Sequence, residues 1–78
     1  MKTKLIAKVY SEKCGDFSGW VANCSDFNIC AQGNTPEEAK SSFARTAVGQ
    51  FMIDQEFAGK GGWKNVGEVL DSIIYENS

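Results

Sequence analysis

Thr35-Pro36-Glu37-Glu38-Ala39-Lys40-Ser41-Ser42-Phe43-Ala44-Arg45-Thr46-Ala47-Val48-Gly49-Gln50-Phe51 is the stretch on which the fold turns. It opens as a helix opens, with a threonine cap, proline at the first helical position and glutamate three residues after the cap. In such a box the threonine oxygen accepts from the Glu38 amide, and the Glu38 carboxylate reaches back to the Thr35 amide. Glu37 and Glu38 also suit the positive end of the helix dipole. Ala39, Phe43, Ala47 and Phe51 then recur every fourth residue, a stripe that a helix turns toward a sheet. Val48 and Met52 lie beside the stripe and widen it toward a second surface. The spacing predicts one long helix from Pro36 to about Phe57, with Phe43 and Phe51 buried. Gly49 sits mid-helix at a cost of about 1 kcal/mol relative to alanine, so a close neighbour is expected there.

Upstream of this helix the chain reads as strands. Lys4 to Tyr10 is β-rich, Ser11 to Asp16 is polar turn material, and Phe17 to Cys24 places aromatic and branched residues around Gly19. Ser25 to Asn28 is a short turn, and Ile29 to Gln32 a third strand closed by Gly33-Asn34. Connections this short cannot cross over, so the three strands form an antiparallel meander. Downstream, Gly59, Gly61 and Gly62 end the helix. The segment from Trp63 to Ser78 fits two patterns, with Val66, Leu70, Ile73 and Ile74 at helical spacing and Val69, Asp71, Ile73 and Tyr75 at strand spacing with one polar exception. The β-rich Ile73-Ile74-Tyr75 favours a short fourth strand around Ser72 to Glu76 at a sheet edge, after one helical turn. The expectation is an α+β domain of order β-β-β-α-β.

Seventy-eight residues make one domain, and the 42% apolar content supplies one core. The net charge is −2, from eight Lys/Arg and ten Asp/Glu, without the basic excess that phosphate backbones demand. Direct DNA binding is therefore not expected. No apolar run is long enough to span a bilayer, and Leu5-Ile6-Ala7 is too short for a signal-peptide core. A cytoplasmic location follows as the expectation. Cys14, Cys24 and Cys30 then stay reduced, and with no histidine and no Cys-x-x-Cys pair they form no zinc site. Cys24 and Cys30 are expected as small buried apolar residues on strands.

Catalytic chemistry is missing. The commonest general base near neutral pH, histidine, is absent. The carboxylates are dispersed, with Asp16 and Asp26 in turns, Glu37 and Glu38 at the helix start, and Asp54 and Glu56 at its end. A two-metal nuclease would gather several of them, usually including one on the first strand, and Lys4 to Tyr10 contains none. The glycines at 59, 61 and 62 neither follow a strand nor precede the Lys-Ser/Thr of a phosphate loop. A domain without enzymatic activity, metal or cofactor is expected. Trp63 reads as a lid over one end of the core.

Gly19-Trp20-Val21-Ala22-Asn23-Cys24-Ser25-Asp26-Phe27-Asn28-Ile29-Cys30-Ala31-Gln32-Gly33-Asn34-Thr35-Pro36-Glu37-Glu38-Ala39 resembles the HicB family of bacterial antitoxins. The resemblance covers roughly Lys4 to Phe57 and is most specific in the Gln-Gly-x-Thr-x-Glu-Glu-Ala segment. It implies a partial ribonuclease H fold, with a three-stranded antiparallel sheet, one long helix and a further strand. The chain departs from the family at Ser25, where proline is usual, and at Asn28-Ile29, where Pro-Gly is common. Many members continue into a DNA-binding unit. Here the residues after the helix number about twenty and are not basic, so residues 1–78 are expected as a single domain without that unit.

By this resemblance the chain binds and blocks a small basic mRNA-cleaving toxin of the HicA type in a toxin–antitoxin system. An acidic domain can cover a positive RNA-binding face without chemistry. The turn residues Asp16, Asp26 and Asn28, with Trp20 and Phe27 beside them, are the candidate partner contacts. Two other readings stay open: an orphan self-associating regulatory domain, and an RNA-binding module that stacks bases on strand aromatics. Open sheet edges and the widened helix stripe also predict a homodimer or larger assembly.

Overall fold

A computed structural model of the chain describes residues 3–77, with the side chain of Cys14 outside the description. The fold is α+β, a four-stranded sheet with three helices packed on one face. Strands β1 (Leu5–Cys14), β2 (Phe17–Cys24) and β3 (Ile29–Gly33) form the expected antiparallel meander. The first strand runs four residues further than the sequence pattern implied, because the turn contracts to Gly15-Asp16. Gly15 takes φ +59° there, as the first central residue of a type II′ hairpin does. A 3₁₀ turn, Ser25–Phe27, joins β2 to β3 and ends with Asn28 at φ 55°.

The helix starts where the cap predicts. Thr35 Oγ1 accepts from the Glu38 amide at 3.1 Å, although the Glu38 carboxylate accepts from the amide of Asn34, at 2.7 Å, and not from that of Thr35. The long helix to Phe57 is corrected: α1 spans Pro36–Ile53 and a separate α2 spans Gln55–Gly61. Asp54 is the reason. Its extended backbone (φ −120°, ψ 102°) ends one helix, and its carboxylate caps the next by accepting from the Glu56 and Phe57 amides. Gly61 closes α2 with no room for a Cβ beneath the Trp63 ring, and Gly62 turns the chain at φ 71°.

A third helix, α3 (Val66–Asp71), leads into β4 (Ile73–Asn77), so the expected edge strand is present within a residue of its predicted bounds. It pairs with β1 in parallel, giving a mixed sheet of order β3-β2-β1-β4. The helices after β3 carry the chain back across one face, the crossover that a parallel pair needs.

Leu5, Ala7 and Val9 of β1 and Ala22 and Cys24 of β2 face α1 and meet Ala39, Phe43 and Ala47, all essentially inaccessible. Tyr75 closes this core edge-on to Phe43 at 6.2 Å and donates its hydroxyl to the Lys40 carbonyl at 3.0 Å. Burial pushes that phenol above its ordinary value. Two packing expectations need correction: Phe51 is half-buried at the core margin, and Cys30 is exposed while Cys24 is buried. Met52, expected beside the stripe and toward a second surface, is 71% exposed. Strand alternation accounts for Cys30: Ile29 and Ala31 point into the core, so the residue between them points away. At Gly49 an added Cβ would meet nothing within 4 Å, so no close neighbour in this chain explains that glycine. Among the described residues, no helix is long and apolar enough to cross a membrane.

Candidate functional site

The five candidate contacts do not form one site. Successive turns of a meander lie at opposite ends of the sheet, and β2 separates Asp16 from Asp26 by roughly 25 Å. Asp16 is exposed at the tip of the β1–β2 hairpin. Trp20, further along β2, is half-buried against the core, with its backbone opposite Ser11 and Gly33. Asp26, Phe27 and Asn28 are brought together at the other end.

There they line a hollow of about 260 Å³ whose other walls come from α1 and α2. Phe27 is its half-buried floor. Its ring lies edge-on to Phe57 at 5.4 Å and tilted against Trp63 at 5.5 Å, while Phe57 and Trp63 are 5.1 Å apart. Trp63 is fixed in turn by its indole N–H, which donates to Ser72 Oγ at 2.9 Å; that hydroxyl donates to the Glu68 carbonyl at 2.8 Å. Trp63 therefore serves as the lid the sequence predicted, over this end of the core.

The rim is acidic. Asp26, Asp54 and Glu56 surround the hollow, against the single cation Lys60 among its lining residues. Lys60 is already engaged, with Nζ donating to the Asp26 carbonyl at 2.9 Å and lying 4.8 Å from the Phe27 ring centroid. Asp54 titrates below its ordinary value because its charged form accepts from the Phe57 amide, then the Gln50 side chain at 3.1 Å, then the Glu56 amide. It stays ionised at neutral pH. The helix break that sequence periodicity missed thus supplies two of the three rim carboxylates. The signal was present in Asp54-Gln55-Glu56, an N-cap residue followed by an acidic first turn.

Among the described residues, no group of three or more Cys, Asp or Glu side chains could hold a metal ion. The rim carboxylates are spread around an aromatic floor and do not converge on a point. Lys60 already holds the cation position over Phe27, so what the hollow presents to a partner is the carboxylates of its rim. No family model, curated protein or solved structure matches the chain.

Proposed function

We propose that the chain is a protein-binding domain of the HicB antitoxin kind, without catalytic activity, that blocks a small basic RNA-cleaving toxin of the HicA type. The observation that carries this reading is the rim of Asp26, Asp54 and Glu56 beside Phe27, three carboxylates against one lysine that is already engaged within the chain. Aromatic residues are enriched at interfaces inside a polar rim, and complementary charge steers a basic partner onto them. The Gln32-Gly33-x-Thr35-x-Glu37-Glu38-Ala39 segment supports the family assignment. The contact set narrows on this reading to Asp26, Phe27 and Asn28 with the α2 residues, and leaves Asp16 and Trp20 outside.

The test uses a small basic RNA-cleaving protein encoded beside this chain in its native genome. RNA cleavage is followed as the chain is titrated in. Equimolar chain should abolish cleavage, and Asp26→Lys with Glu56→Lys should weaken inhibition by about tenfold or more. Asp16→Lys, at the far end of the sheet, should leave inhibition unchanged. Cleavage that persists under excess chain defeats the proposal, as does equal loss from Asp16→Lys and from the hollow variant.

A further inference from the structure

β3 is the outermost strand on one side of the sheet, paired with β2 alone. Natural edges are guarded by charge, proline, bulges or a covering element, because a free ladder recruits another strand. Ile29-Cys30-Ala31-Gln32-Gly33 carries no charge and no proline, and its register with β2 is unbroken. α1 lies over β3, held close at Gly33, where an added Cβ would overlap the Glu38 and Ala39 backbone. Between the strand edge and the helix runs a groove of about 390 Å³, with Phe17, Gln32, Gly33 and Asn34 on the sheet side and Glu38, Ser41, Ser42 and Arg45 along α1.

The two charges lie two helical turns apart, about 10 Å, and neither is neutralised by the other. Arg45 makes one long contact, 3.5 Å to Ser42 Oγ. Glu38 uses Oε2 for the Asn34 amide, and Oε1 remains available. A helix face with an acid at one end, a base at the other and the small Ser41 and Ser42 between is complementary to itself under a two-fold rotation. That self-complementarity is the requirement for an isologous interface.

From these features we propose that the chain forms a two-fold dimer through this edge. β3 pairs antiparallel with its copy about Ala31, making one eight-stranded sheet. α1 crosses its copy near Ser41 and Ser42, and Glu38 of each protomer pairs with Arg45 of the other. The two axes agree: Ala31 is two strand residues, about 6.6 Å, from Gly33, and the same travel along α1 from Glu38 is about four residues, reaching Ser42. The opposite edge, β4, is a poorer choice because self-pairing would bring Glu76 near its own copy.

Charge exchange tests the pairing. Sedimentation equilibrium between about 1 and 100 µM, the range suited to moderate affinities, should show a dimer for the unmodified chain. Glu38→Arg or Arg45→Glu alone sets like charges together and should weaken association by at least about tenfold. An equimolar mixture of the two variants restores both pairs and should return to within about threefold of the original affinity. A monomer throughout the range, unaltered association of Arg45→Glu, or a mixture no tighter than its components would overturn the proposal. Arg45 is an exposed surface residue, so that variant carries the test even if Glu38→Arg loses its helix cap. Toxin inhibition by Arg45→Glu should stay intact, because the hollow contains neither residue. Failure of the dimer is thereby separable from failure of toxin binding.

Discussion

Phe43 is the side chain on which the two layers depend most, and its truncation gives a sharp measure of the packing. It is fully inaccessible, lies between the equally buried Ala39 and Ala47 on α1, and meets Tyr75 edge-on. The flanking residues are alanines, which cannot swing in to fill the space a missing ring leaves. Phe43→Ala should therefore cost the full range for a buried phenylalanine, about 3–5 kcal/mol. At about 0.05–0.15 kcal/mol per residue, a 78-residue domain has only about 4–12 kcal/mol to lose. The variant should stand at the margin of unfolding. With a urea dependence of about 1 kcal/mol per molar for so small a domain, the midpoint should fall by about 3–5 M. Thr35→Ala, which removes one cap hydrogen bond and leaves no cavity, should cost about 1 kcal/mol. Urea titrations read by helical circular dichroism and by fluorescence of buried Trp63 measure both. A Phe43→Ala midpoint within about 1 M of the parent would mean that this stripe does not hold α1 on the sheet.

Two further outcomes follow from individual side chains. Cys30 is exposed and Cys24 buried, so a thiol reagent should label Cys30 in the native protein within the mixing time and Cys24 only as the protein unfolds; peptide mapping that finds equal early labelling contradicts the register of β3. Asp54 has a lowered folded-state pKa, so its contribution is complete above the ordinary value of 3.8 and is lost as pH falls below that through the folded value. Asp54→Asn keeps a capping oxygen without the titration, and its urea midpoint should decline less steeply than the parent's below that pH; parallel declines would remove Asp54 as the linked group.

Much of the fold was legible because its determinants are local. The Thr35 box names the start of α1 through hydrogen bonds that reach no further than four residues. The β-rich run at Ile73 names β4 despite a competing helical pattern, since the helical spacing belongs to α3 just before it. Parallel pairing of β4 with β1 was not legible, because it depends on where three helices return the chain. The break at Asp54 was hidden by apolar residues that continue past it to Phe57, which suggested one element where there are two. Exposure of Cys30 was readable from its neighbours, but cysteine's general preference for the interior outweighed the alternation. The separation of Asp16 from Asp26 also follows from a meander alone, since two consecutive turns cannot share an end.

The two proposed surfaces constrain one another through β3. That strand begins just after Asn28, beside the acidic hollow, and ends beside the edge groove, at Gly33. Antiparallel pairing with a copy points the two Asn28 ends in opposite directions, so the hollows of a dimer open at opposite ends of the joined sheet. Each can then take a basic partner without competing for the dimer contact or for the other hollow. Binding of partner and copy should accordingly be independent: the toxin affinity of Arg45→Glu, held monomeric by its charge, should match that of the parent site for site. A shared surface predicts the opposite, with association and inhibition lost together, and measuring both on that one variant decides between the arrangements.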